Sequence, residues 1–311
     1  MKNTIKTFAL FLTAGAMLAS CDSYLDRQPD EPLTSDNIFK KQKTTLQYLT
    51  NIYSYQPDYE APACVSNSND IPWEACSDET SFASLDRAYT QINYNSWNPS
   101  INIYRNDTYN TPYKGIREAN YFMQHVHECP ELTDTDKGYY YNEARFLRAH
   151  FYAMMLPVYG PVFLIGDDPV DFTQSGLDQR ERNTWDECVS YVANELWEAA
   201  KGLPDSWPDI YYGRATKGAA LAARARLLLY SARKLFNGNE LYKGIVNKNG
   251  DHLFPTQYDE KKWELAAQAA KDVMNLNLYS LVGADGTDPY ASFNTLFTSV
   301  GSGTGKKLNV P

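Results

Sequence analysis

The chain runs to 311 residues, 43% of them hydrophobic, enough to bury a sizeable core in one or two domains. Its formal net charge of −9 argues against nucleic acid as a partner, because phosphate binding needs clustered lysine and arginine. The same charge argues against electrostatic docking on anionic lipid, so a membrane attachment must have another source.

That source is written at the N-terminus. Lys2 and Lys6 form a positive region, Phe8 to Leu18 an apolar run, and Leu18-Ala19-Ser20-Cys21 a small-residue cleavage site ending in cysteine. The run is shorter than the about 20 apolar residues a permanent span needs. Residues 1–20 therefore read as a lipoprotein signal peptide and Cys21 as the acylated, palmitate-bearing first residue of the mature chain. An ordinary secretory signal with a chance cysteine is the competing reading. Loss of Lys2 and Lys6 takes the 29 basic residues to 27 against 38 acidic, a net −11. Residues 21–33, polar and broken by Pro29 and Pro32, have the composition of a flexible tether.

Thr34 or Ser35 is predicted to cap one helix with a face at Ile38, Phe39, Leu46, Leu49, Ile52 and Tyr53, Gln42 being a polar exception. From Gln56 to Arg105 no period is sustained, and the segment is dense in Asn, Ser, Pro, Tyr and Trp. Helical spacing resumes at Ile116, Ala119, Met123 and Val126, then at Tyr140, Ala144, Leu147, Phe151 and Met154, a hairpin turning near Pro130. Pro157 is expected to stop its second helix, with Val162 to Ile165 extended beyond Gly160-Pro161. A capping box, Thr184 with Glu187, opens a helix with Val189, Val192, Leu196 and Ala199 or Ala200 on its face. Thr216 starts another with Ala220, Ala223, Leu227 and Tyr230, and a last one carries Trp263, Ala266, Ala267, Ala270, Val273 and Met274. Alanines on these faces allow close helix approach.

Catalytic signatures are weak. His125-Val126-His127-Glu128-Cys129 offers four ligand types, but residues two apart on a helix point about 200° apart, and Glu131 stands where a zincin needs its second histidine. Gly301 to Lys306 imitates a phosphate loop without its spacing or following helix. No Gly-x-Ser-x-Gly elbow occurs, whereas paired acids for glycoside hydrolysis leave no linear signature. With Cys21 acylated, Cys64, Cys76, Cys129 and Cys188 remain; a local Cys64–Cys76 disulfide and four free thiols both suit the spacing.

The aromatic loop is the better lead. Sugar rings have apolar faces that stack on aromatic side chains while Asn, Asp and Arg read hydroxyls, and Trp73, Asp78, Arg87, Tyr94, Trp97 and Asn98 supply both kinds of group. The alternative is that these rings pack the loop onto the helices. Arg148, four residues from Ala144 and three from Phe151, lies on or beside an apolar stripe and needs a partner. Glu143 points elsewhere, so that partner should come from another helix, through Asn120 or its neighbours.

An ordered series of motifs resembles the SusD/RagB family of outer-membrane nutrient-uptake lipoproteins. It comprises the lipobox, Tyr24-Leu25-Asp26 with Pro29 and Leu33-Thr34, and Tyr113-Lys114-Gly115-Ile116-Arg117-Glu118-Ala119-Asn120. Glu143-Ala144-Arg145-Phe146-Leu147-Arg148-Ala149, Tyr159-Gly160-Pro161-Val162, Gly213-Arg214-Ala215-Thr216 and Trp263 with Ala266 to Ala270 complete it. The resemblance implies a mainly α, tetratricopeptide-like scaffold of helical hairpins with long irregular loops, no catalytic activity and no cofactor. It further implies surface exposure at the outer membrane, capture of glycans or peptides, and a SusC-like TonB-dependent β-barrel transporter as partner. The likeness spans residues 34–297 beyond the tether, the N-terminal part of such proteins, and leaves 298–311 as a Gly/Ser-rich tail where members continue into a C-terminal portion. A surface helical glycoside hydrolase and a helical adhesin or assembly scaffold are the alternative functions.

Overall fold

Five helices in succession, each lying antiparallel against the one before it, make the body of the protein. The computed structural model describes residues 35–56, 77–78, 94–98, 106–167, 180–281, 286 and 288–298. Its helices are α1 (Ser35–Ile38), α2 (Gln42–Tyr53), α3 (Thr111–His125), α4 (Asp134–Tyr159), α5 (Trp185–Gly202), α6 (Lys217–Ala232), α7 (Lys261–Met274) and α8 (Pro289–Thr298). Helices α3 to α7 form the stack, and α2 packs across α3 and α4. A single antiparallel bridge, Val246 to His252, is the β-structure among the described residues. The signal peptide, the tether, Cys64, Cys76 and the 299–311 tail lie outside them.

The expected helix from residue 34 is broken after Ile38. A continuous helix would pair the Gln42 amide with the Ile38 carbonyl; instead that amide donates to Glu131 Oε2 at 2.7 Å. The Ile38 carbonyl accepts from the hydroxyls of Thr44 and Thr45 at 2.6 and 3.2 Å. A carboxylate at the N-terminus of α2 also complements the helix dipole. The break turns Phe39 into the core, its ring 5.6 Å from Tyr48 and 5.8 Å from Phe122.

The hairpin of α3 and α4 follows the expected spacing. Ile116, Ala119, Met123 and Val126 are buried opposite Tyr140, Ala144, Leu147 and Phe151. The second stripe continues to Met155 rather than Met154, which is only half-buried. Each fully buried Leu or Phe here contributes about 1.5–3 kcal/mol. Thr133 caps α4 by accepting from the Asp136 amide at 3.1 Å. Pro157 does not stop the helix, which runs on to Tyr159. A proline forfeits one amide bond, and within the final turn little further backbone is affected. The terminator is Gly160, at φ +68, where a Cβ would stand 2.8 Å from the Phe254 ring.

Beyond it, residues 162–165, expected to be extended, carry no regular secondary structure and pair with no strand among the described residues. Side chains take over the hydrogen bonds: Tyr113 Oη donates to the Phe163 carbonyl at 2.6 Å, and the Leu164 and Ile165 amides donate to Asn183 Oδ1 and Tyr152 Oη. Helix α5 opens with the expected capping box, Glu187 N donating to Thr184 Oγ1 and Thr184 N to Glu187 Oε2. Trp185 is fully buried, stacked 4.1 Å from Phe236, with its indole N–H on Ser231 Oγ. This pins the 233–258 connection to the start of α5.

Helix α7 departs from the expected pattern. Only Ala266 and Ala269 are buried, while Trp263 is 42% and Met274 74% exposed, and Ala267 and Ala270 face outward with them. Among the described helices α7 packs chiefly on α6, with Lys262 reaching Asp186 of α5, so its covered arc is narrower than its apolar face.

At the centre of the stack Arg148, 1% exposed, donates from Nη1 to Asn120 Oδ1 and Asp167 Oδ1, both at 2.6 Å, and from Nη2 to Glu195 Oε2 at 2.5 Å. Arg145 grips the same Glu195 carboxylate through Nε and Nη2. Burial pushes the Glu195 carboxyl up, but the two arginines outweigh it and hold it below the usual carboxylate range. The group binds its proton less readily folded than unfolded, so its stabilising contribution is present above the unfolded value near pH ~4.3 and fades as pH falls through the folded value.

Three outcomes follow from this packing. Arg148→Ala, which strands a buried carboxylate, should lower the unfolding free energy by about 3–5 kcal/mol in urea titrations; an unchanged midpoint would remove the structural role assigned to Arg148 and Asn120. Glu195→Gln should flatten the acid limb of a pH series of thermal melts, the variant and the parent converging below pH ~4. Gly160→Ala should cost about 1–3 kcal/mol, while Pro157→Ala should be nearly neutral; the reverse order would make Pro157 the terminator after all.

Candidate functional site

Of the six loop residues singled out as ligand contacts, Trp73 and Arg87 lie outside the described residues. Asp78 is exposed beside Ser77. Tyr94, Trp97 and Asn98 fall together in one short segment, 94–98, turned by Asn95 at φ +54. Tyr94 is 65% and Trp97 49% exposed, so neither ring is consumed by packing against the helices. Two large aromatic faces a few residues apart, with an amide beside them, are the groups a flat polyhydroxylated ligand requires.

The roots of this loop are held firmly. At its start, Tyr53 Oη donates to the buried Glu143 carboxylate and accepts from the Ala215 amide at 2.9 Å. Arg214 meets the same carboxylate in a fork, Nε to Oε1 at 2.7 Å and Nη2 to Oε2 at 2.5 Å. Its guanidinium is boxed by Trp207, Tyr140 and Tyr211, with ring centroids 4.5, 4.8 and 5.2 Å away. Trp207 in turn donates its indole N–H to the Ala215 carbonyl at 2.7 Å. Burial pushes the Glu143 carboxyl up, and the single arginine only partly offsets this, in contrast to Glu195 with two.

At the other root, the wide turn Asn106–Asn110 leads into α3. Thr108 and Tyr159 share a hydroxyl–hydroxyl bond of 2.6 Å, and the Tyr109 ring sits edge-on to Tyr113 and Tyr159, both 5.0 Å away. Glu143 and Tyr159 are sixteen residues apart on α4, about 24 Å along the axis. The loop therefore leaves the scaffold against the middle of its longest helix and rejoins it at that helix's C-terminal end.

The box around Arg214 was only half legible beforehand. Gly213-Arg214-Ala215-Thr216 stands out as a motif, but Trp207 and Tyr211 sit in a turn and give no periodic signal, and the spacing of Tyr53 marks it only as a core residue of α2. The histidine-rich turn is a helix end: His125 Nδ1 lies 2.8 Å from Glu128 Oε1 and Cys129 is buried. No group of three His, Cys, Asp or Glu side chains suited to a metal occurs among the described residues. Cys129 and Cys188 are free and buried, and burial pushes the Cys188 thiol up to about 11, away from a reactive thiolate. His150 is driven down to about 4, first by burial and then by Arg226, which keeps it neutral. Among the described helices none is long and apolar enough to cross a membrane.

Comparison with known proteins accords with this architecture. A SusD-like family model, described as starch-binding associating with outer membrane, matches residues 23–229. No curated protein matches the chain. Among solved structures, the protein titled BT4246 is 26% identical with a TM-score of 0.59, over 76% of this chain and 40% of its own. A SusD-like protein from Bacteroides fragilis is 22% identical with a TM-score of 0.58, over 85% and 43%. The surface glycan-binding protein A from Bacteroides uniformis is 17% identical with a TM-score of 0.56, over 78% and 48%. The chain thus spans less than half the length of the structures it resembles. With most of its residues inside the family match and a tetratricopeptide-like stack of helical hairpins around them, this chain belongs to the SusD-like family.

Proposed function

We propose that this protein is a non-catalytic glycan-binding lipoprotein of the outer membrane. It holds oligosaccharide on its long loop and passes it to a SusC-like TonB-dependent β-barrel transporter. The observation that carries the reading is the loop itself: both roots are clamped to α4, while Tyr94 and Trp97, between them in sequence, keep their rings uncovered. Family membership supplies the class of ligand and the membrane setting. The signal at 1–20 and the lipid on Cys21 supply the attachment, and residues 21–33 the slack for movement beside the barrel.

The domain division 1–20, 21–33, 34–297 and 298–311 belongs to the same reading. The loop candidates Trp73, Asp78, Arg87, Tyr94, Trp97 and Asn98 are its contact set.

Affinity electrophoresis and calorimetry against starch- and laminarin-derived oligosaccharides test it. Tyr94→Ala and Trp97→Ala should each weaken binding of the preferred oligosaccharide by about tenfold, equivalent to about 1.4 kcal/mol, with thermal stability unchanged and the sugar recovered intact. Binding indifferent to both substitutions would overturn the loop assignment. Cys21→Ala should move the protein from the membrane to the soluble fraction and abolish co-purification of a β-barrel partner.

A further inference from the structure

A second site lies away from the loop candidates, in a cavity of about 350 Å³ between α5, α6 and α7. Its inner wall is Trp197, Ala200, Leu221 and Leu276, and Lys201 and Lys217 reach its opening. The carboxylate that lines it, Asp272, is already engaged: Oδ2 accepts from Arg224 at 3.1 Å and Oδ1 from Gln268 at 2.9 Å. The acids paired with the two lysines, Glu198 and Asp205, sit on the solvent side and do not line the cavity. Such exposed ion pairs are worth about 0–1 kcal/mol, so an incoming anion competes with them readily. The cavity thus offers a largely apolar body, with Asn275 beside it, and two lysines whose surface ion pairs an incoming anion can displace.

We propose that this cavity binds a small apolar carboxylate, a compact aromatic or branched aliphatic group carrying one negative charge. A neutral sugar is a poor occupant, because most of its hydroxyls would lose water against Trp197, Leu221 and Leu276, with Asn275 the one neutral polar side chain on the lining. The Trp197 indole is also already engaged by the Arg224 guanidinium at 5.0 Å and the Lys201 ammonium at 5.8 Å. An apolar body resting on Leu221 and Leu276 leaves those contacts intact and puts its carboxylate between the lysines. Next to Lys217, Gly218 lets the Tyr279 hydroxyl pack onto α6, 1.8 Å from where a Cβ would stand, which seats the segment that follows Leu276.

Calorimetry with N-acetyl-phenylalanine, its neutral amide and glucuronate decides the matter, independently of the glycan reading. The acid should bind at least tenfold more tightly than the amide or glucuronate. Lys201→Gln combined with Lys217→Gln should bring the acid down to the level of the amide and leave the amide unchanged. Trp197→Ala should weaken both, with unchanged thermal midpoints reporting intact folds. A tripeptide ending in phenylalanine binding more tightly than the acetylated acid would assign the site to peptide C-termini, and equal binding to free acids. Acid and amide binding alike, glucuronate binding best, insensitivity to the lysine pair, or no binding at millimolar concentration would each overturn the proposal.

Discussion

The buried guanidinium of Arg148 is the constraint around which the helix stack is arranged. A charge removed from water costs several kcal/mol unless it is matched, and here the match is drawn from three separate places: Asn120 on α3, Glu195 on α5 and Asp167 at the end of the extended segment. Apolar faces allow helices to slide by small amounts at little cost, whereas a charge-assisted hydrogen bond of 2.5–2.6 Å does not. Arg148 therefore does less to strengthen the core than to set the register of α3, α4 and α5 against one another. Its Nε and the nearby Tyr191 hydroxyl remain buried without partners, a residual cost the rest of the network offsets.

That register has a consequence for the 162–167 segment, whose backbone is served by side chains rather than by a neighbouring strand among the described residues. Asn120 Nδ2, while its oxygen serves Arg148, donates to the Gly166 carbonyl at 2.9 Å, and Gln124 donates to the Asp167 carbonyl at 3.2 Å. Tyr113 and Tyr152 meet the carbonyls and amides between. One asparagine thus links the buried charge to the buried backbone, and neither could be satisfied in this way if α3 were shifted by a turn. Arg214 repeats the logic on a smaller scale just over a turn away on α4, with aromatic rings in place of a second cation to shield its pair with Glu143.

Helices with a complete apolar stripe could be read from spacing alone, as Val189, Val192, Leu196 and Ala199 of α5 illustrate, because their burial is decided by neighbours on both sides. Where the reading failed, a single local contact outweighed the period. Glu131 captures the Gln42 amide and splits the first helix, Gly160 rather than Pro157 ends α4, and α7 buries half the face its alanines suggested. Such contacts join residues as far apart as 42 and 131, so no window along the chain contains them. The charge on Arg148 was visible as an anomaly on an apolar face; its acceptors were not, except for Asn120, which the motif spacing placed on the neighbouring helix. The exposed rings of Tyr94 and Trp97 stood out by composition, but the clamps at Tyr53 and Thr108 depend on three-dimensional meetings with Glu143 and Tyr159.

Both clamps, and both buried arginine networks, terminate on α4. In a stack where each helix is supported mainly by its neighbours, the ends are covered on one side and the centre on two. Helix α4 has α3 and α5 against it along its length and α2 and α6 at its margins, whereas α7, with Trp263 and Met274 uncovered, has the least support among the five. Anchoring a long loop costs conformational entropy at its roots, and that cost is lowest where the attachment points do not themselves move. Placing both roots on the best-supported helix lets the loop between them carry exposed aromatic rings without the scaffold giving way beneath it.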